Sequence, residues 1–439
     1  MSTAATLPED DTPPPSAILS ERRQLIKALG PGILMAGAAI GGSHLVSSTQ
    51  AGAKFGWSLL GLLLLANLFK YPFFLYGERY TAATGETILH GFRRMGKAYL
   101  LAYFALNLVN AFLNIAGVAM ITASLSLNLG VEALNIALPE LTLIVAGLCA
   151  ILILLGHYRL LDGVTKGVIL LLALSTFAAV VAGALNPSET VADFTKTSPW
   201  DLAGLGFIIL FMGWMPAPID VAIWPSLWMK AREKQTGHRA TMRQAMIDFH
   251  IGYFVTVVLA VFFLALGALI LHGSGREFSM ASAAFSSQLV DLYTESIGGW
   301  SYWIISIAAF TAMFSTTLTC MDGYPRSLAT CCMLYGGLTP KGRLRMVHGT
   351  WIVLSVLATY IITKFFLQSL GQMLQVAMVI SFLTSPVFAW IHFKVIRAPW
   401  VDAAYRPGPF LRLLSWAGLA FFVGFTLLFL WWFFFFSGK

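Results

Sequence analysis

Charge is what this sequence has least of. Only 11% of its 439 residues are Asp, Glu, Lys or Arg, against about 25% in a soluble domain. That scarcity excludes a chain folded in water around a single core. Cysteine is scarce as well. Cys149, Cys320, Cys331 and Cys332 lack both metal-ligand spacing and a disulfide framework, so free thiols are expected. No Gly-rich phosphate loop, catalytic triad or metal-hydrolase motif occurs, so no enzyme, primary pump or cofactor is expected. There is no cleavable signal, and residues 1–20, rich in Pro, Asp and Ser, read as a disordered cytoplasmic tail.

What is present is apolar. Hydrophobic residues make up 58% of the chain, and the mean hydropathy is +0.76. A spanning helix needs about 20 mainly apolar residues. By that measure the chain is an all-α polytopic membrane protein with about eleven spans: 29–55 (broken), 57–77, 98–127, 139–156, 164–185, 201–228 (broken), 248–272, 299–320, 347–364, 371–395 and 411–436. The net charge of +8 does not indicate nucleic acid, because the basic residues sit in short loops between the spans. Of the 28 Lys and Arg, 22 fall on one side; Lys196, Arg276, Lys364 and Lys439 fall on the other, and Lys54 and Lys70 lie inside spans. The positive-inside bias therefore predicts a multi-pass protein of the cell membrane, N-terminus cytoplasmic and C-terminus outside. The linker Lys230–Arg243 reads as a cytoplasmic connector at the interface.

Two spans are interrupted. The first, Gly30 to Gly56, contains Gly41-Gly42-Ser43-His44 at half depth. The sixth carries Trp214-Met215-Pro216-Ala217-Pro218, and each proline lacks an N–H and disfavours helix before it. Backbone left unpaired at mid-depth must line a cavity or a solute. The same element recurs five spans later, as in inverted-repeat transporters. Repeats at about 29–185 and 201–395 are expected, with an eleventh helix appended at 411–436 and the whole of 21–439 forming one transporter domain.

The flanking motifs sharpen this reading. GPG at 30–32, QAGAKFGWSLL at 50–60, LLLLANL at 62–68, ATGET at 83–87, YRLLDG at 158–163 and LQVAMVISFLTSPVFA at 374–389 resemble the NRAMP family of divalent-metal transporters, which have the leucine-transporter-like fold. The resemblance implies that the two breaks face each other and that Gln375 lies near the site. The departures fall on the positions that bind metal. The family's Asp-Pro-Gly-Asn is Gly41-Gly42-Ser43-His44 here, its Met-Pro-His is Met215-Pro216-Ala217, and its acidic third-helix positions are Ala111 and Asn114.

The expected substrate-binding residues are Gly41, Gly42, Ser43, His44, Trp214, Met215, Ala217, Asp220 and Gln375. A hard divalent cation wants several oxygen ligands, usually carboxylates, and Asp220 is the only one nearby. His44 and Met215 complete the metal set if a metal binds. Alternatively, the Gly-rich break offers helix N–H groups to an anion, Asp220 holds an amine and a tryptophan walls the pocket. The reading leans to a small organic solute, an amino acid or organic cation, with Mn²⁺ or Mg²⁺ transport as the alternative and a channel as the third. The bilayer is the other expected partner. His44 and Lys70 are the expected coupling groups for H⁺ or Na⁺. Lys70, deep in span two, is expected to pair with an acid, to replace a coupling cation or to snorkel to the inner interface. Asn107, Asn110 and Asn114 share one helix face and read as interhelical glue. Ser315, Thr316, Thr317 and Thr319 supply hydroxyls where this fold can hold a Na⁺ against span one. Asp322, Tyr324 and Arg326 are expected to make local contacts at the inner end of span eight.

Overall fold

The computed structural model describes residues 23–156, 158–186, 191, 194–276, 278–337 and 341–436. The expected tail lies outside them. The described residues are helical and contain no strand. The helices are α1 (Pro31–Ala39), α2 (Thr49–Phe55), α3 (Leu60–Thr84), α4 (Ile88–Met95), α5 (Lys97–Ser126), α6 (Leu138–Leu154), α7 (Tyr158–Leu185) and α8 (Leu202–Trp214). They continue with α9 (Trp224–Thr236), α10 (Met242–Ile270), α11 (Ser282–Ile297), α12 (Tyr302–Tyr335), α13 (Lys341–Ile361), α14 (Leu370–Ile396) and α15 (Pro409–Phe436). Every expected apolar run falls on helix. By length and composition, eight described helical stretches are able to cross a membrane, and Leu138–Leu154 and Leu170–Leu185 are shorter apolar ones.

Two expectations need correction, and the connector Lys230–Arg243 gains detail. α9 runs through it to Thr236 and stops at Gly237 in the left-handed region, and α10 opens at a Thr241–Gln244 capping box. α12 extends to Tyr335, well past the expected end at 320, so Asp322, Tyr324 and Arg326 lie within the helix. α11 has no counterpart among the expected spans, because its polar and apolar residues mix too evenly to read as one.

The broken first span is held in a cradle made by α10. A Cβ on Gly52 would come 2.0 Å from the Leu264 carbonyl oxygen, and one on Gly267 would come 2.1 Å from that of Thr49. Only glycine permits such an approach, and the close backbone packing offsets the lack of a hydrophobic drive between helices in lipid. α5 packs on α12, α14 on α8, and α15 on the outer face of α3. The asparagines of α5 bind across these contacts. Asn107 donates to Ser327 (2.9 Å), Asn110 to Thr384 (3.0 Å), and Asn114 to Tyr324 (2.9 Å) and Ser381 (3.2 Å). The four cysteines are free.

Candidate functional site

Both breaks fall where the sequence places them. α1 ends at Ala39, and helix resumes as one wide turn at Ser43–Ser48 before α2. Wide turns of this kind concentrate at functional sites. α8 ends at Trp214, and a tight turn at Ile219–Ile223 leads into α9. Each break leaves carbonyls without helical partners, and side chains from other spans meet them. The Thr316 hydroxyl of α12 lies 2.9 Å from the Gly37 oxygen and 3.1 Å from that of Ile40.

At the second break the partner is Lys70. Its ammonium donates to the carbonyls of Met212 (3.0 Å), Gly213 (3.1 Å) and Ala217 (3.0 Å), one for each of its three hydrogens. Lys70 is 1% exposed, so it does not snorkel. Asp220 is the charged group that acts on it. The Lys70 amino group thus sits on the carbonyls freed by the break.

Between the breaks is a cavity of about 30 Å³, room for roughly a water or two. Gly42, Ser43, Trp214, Ala217, Trp224 and Tyr324 line it. A Cβ on Gly42 would lie 2.4 Å from the Trp214 ring, so glycine there keeps the ring in place. The indole N–H groups of Trp214 and Trp224 are buried without an acceptor, and both Asp220 oxygens are buried without a donor in hydrogen-bonding geometry. The Tyr324 hydroxyl accepts from Asn114, and it is the side-chain group that acts on Asp220. Each orphaned polar group costs about 1–3 kcal/mol. Two such side chains, Trp214 and Trp224, line the cavity itself, whereas Asp220 is buried outside its lining.

Other expected site residues stand apart from this cavity. His44 is fully buried and turned toward α10. Its Nε2 donates to the Thr256 carbonyl (2.9 Å) and its Nδ1 lies 2.7 Å from the Ser43 hydroxyl. The Thr256 oxygen can only accept, and the single Ser43 hydroxyl hydrogen has three acceptors within reach: His44 Nδ1 (2.7 Å), the Ala39 carbonyl (2.8 Å) and the Pro216 carbonyl (2.9 Å). Met215 packs in an apolar cluster with Phe211, Met212 and Phe382. Gln375 is exposed and lines a separate vestibule of about 660 Å³ together with Gln50 and Lys54. Vestibule and cavity are divided where Gly213 meets the Met378 backbone; a Cβ on Gly213 would come 2.3 Å from the Met378 oxygen. Gly41 abuts the Thr316 side chain. Among the described residues no group of three or more His, Cys, Asp or Glu side chains gathers as for a metal ion.

Sequence reasoning missed Tyr324 as a site residue. It lies on α12, and its ring packs edge-on against that of Trp224, with centroids 4.7 Å apart. Thr316, Cys320 and Tyr324 follow one another at four-residue steps, which places them on one helix face, and this spacing was the available signal.

The family model described as natural resistance-associated macrophage protein-like matches residues 32–432. An uncharacterized protein of Pasteurella multocida is 40% identical over 407 residues, covering 92% of each chain. Two mutant forms of the Eremococcus coleocola manganese transporter share the fold, with TM-scores of 0.69 and 0.67 at 13% and 14% identity, over 96% of this chain and 88% of theirs. The chain therefore belongs to the Nramp family and is a multi-pass membrane transporter.

Proposed function

We propose that this protein is a secondary-active transporter of the cell membrane, N-terminus cytoplasmic and C-terminus outside, working by alternating access around the two midplane breaks. Its five-helix repeats span about 29–185 and 201–395. The substrate is a small organic solute with an acceptor group, such as the carboxylate of an amino acid. The observation that carries this reading is Lys70. Its ammonium already holds the carbonyls that a bound cation would use, and like charges this close repel strongly in a low dielectric. The unpaired indole N–H groups of Trp214 and Trp224 ask for an acceptor, and Asp220 offers a place for an amine. Gly41 and Gly42 let a solute approach the backbone, and Ser43 and Ala217 supply polar contacts at the break. Lys70 takes the place of a coupling cation, and its loss or gain of a proton couples transport to H⁺ rather than Na⁺.

Family membership and the likeness to manganese transporters favour a second reading, in which Mn²⁺ or Mg²⁺ is carried. On that reading Lys70 leaves the carbonyls, and Asp220, Met215 and a rotated His44 serve as ligands. A thermal-shift screen of the purified protein against amino acids, organic cations, Mn²⁺ and Mg²⁺ separates the two, because a ligand of the folded state raises its melting temperature. Stabilisation by an amino acid or organic cation, followed by saturable counterflow in liposomes, is the expected result. Stabilisation by Mn²⁺ alone, lost in Asp220→Ala, overturns the organic-solute reading in favour of metal.

A further inference from the structure

A second set of buried acids lies away from the central cavity, at the N-terminal end of α1. Glu78 on α3 is 0% exposed, and neither carboxyl oxygen has a hydrogen-bond partner. Asp248 on α10 caps α1, accepting from the backbone N–H of Gly30 (3.0 Å) and of Gly32 (2.7 Å). Asp248 is the charged group that acts on Glu78. The two acids differ in what supports them. Asp248 has helix N–H groups that stabilise its anion; Glu78 has no donor at all, and a second anion beside the first is unfavourable.

Two neighbouring side chains on α3 and α10 have partners of their own. α1 carries no titratable side chain. Arg79 turns to the carbonyls of Tyr405 (2.8 Å) and Arg406 (3.2 Å), and His250 of α10 pairs with Tyr71. One turn beyond Glu78, Thr81 and Pro31 line a cavity of about 20 Å³, whose far wall holds Arg232, Glu233, His238 and Arg239. Arg232 also donates to the carbonyls of Ile26 and Lys27, just before α1. Arg232 of α9 and Asp248 of α10 thus both hold the start of α1, and the cavity lined by Thr81, one turn from Glu78, has room for roughly one water.

We propose that Glu78 is a proton-binding site of the inner gate: it holds its carboxyl proton while α1 is docked on Asp248 and gives that proton to water on the linker side when α1 moves away. The O–H bond breaks, the electron pair stays on Glu78, and the proton leaves past Thr81. The site serves whichever solute the central cavity carries.

The test is thermal unfolding of the full chain in detergent from about pH 6 to about pH 9, with Na⁺ or with choline as the cation. A proton bound in the folded state and released on unfolding makes stability fall as pH rises. The wild type is expected to lose about 2 °C per pH unit more than Glu78→Gln, which mimics the protonated acid, and the cation is expected to make no difference. Equal slopes in the two proteins overturn the proposal. A Na⁺-dependent rise in the wild type that Glu78→Gln loses also overturns it, by making the site one for a metal cation. If Glu78→Gln does not fold, Asp248→Asn decides. Removing the neighbouring anion is expected to let Glu78 ionise more readily, and so to end the falling limb at a lower pH; an unchanged end overturns the proposal.

Discussion

Lys70 is the residue on which the chemistry of the central site turns. A buried ammonium is tolerated only with its hydrogens satisfied and an anion near, and the second break supplies three carbonyls with Asp220 close by. Lys70→Met leaves those carbonyls and Asp220 without their cation. It is expected to cost about 3 kcal/mol, read as a lower melting temperature, and to abolish uptake. Lys70→Arg is not expected to rescue it, because a planar fork cannot place three hydrogens on carbonyls converging on one point. Trp224→Phe probes the opposite feature. It keeps the ring that packs on Tyr324 and removes the unpaired N–H. If that N–H meets the solute, affinity falls about tenfold with the melting temperature nearly unchanged; unaltered affinity would remove Trp224 from the site. The sequence marked Lys70 as unusual for its depth. It did not say which partner Lys70 finds, because that partner is the backbone of a helix at the far end of a long stretch of chain.

Elements matter here through how closely they approach. α2 lies on α10 through glycines whose missing side chains let backbone meet backbone. Gly52→Val and Gly267→Val each force a branched side chain into a carbonyl, and each is expected to prevent recovery of a monodisperse protein on size exclusion. Gly61→Ala, where nothing lies within 4 Å of the added Cβ, is the matched control and is expected to behave as wild type. Both helix breaks were legible in the sequence because Gly and Pro act locally, through missing Cβ atoms and N–H groups. Hydroxyls of α12 facing the first break were expected, and Thr316 supplies one; the closing of the second break by Lys70 was not legible, since it depends on helices that meet only in the folded chain. The same reason explains His44. Its place in the break was readable, but the direction of its ring, toward Thr256 of α10, was set by packing.

At the scale of the whole molecule, the distribution of Lys and Arg carries the proposed orientation. Single cysteines introduced in a background lacking the native four, at Arg276 and at Lys234, test it. An impermeant maleimide added to intact cells is expected to label the first site, and the second only after the membrane is opened; the reverse pattern would invert the topology. The sequence by itself determined that the chain lives in a bilayer, that it is all helix and that two spans break at mid-depth. Each of these follows from composition or from a residue's own backbone chemistry. The tertiary structure alone decided which groups meet at those breaks. It put Lys70 on the freed carbonyls, brought Tyr324 and two tryptophans around the cavity, moved Gln375 to a separate vestibule and set Glu78 beside Asp248. These pairings join residues far apart in the chain, and only the packing of helices, which no local pattern encodes, brings them together.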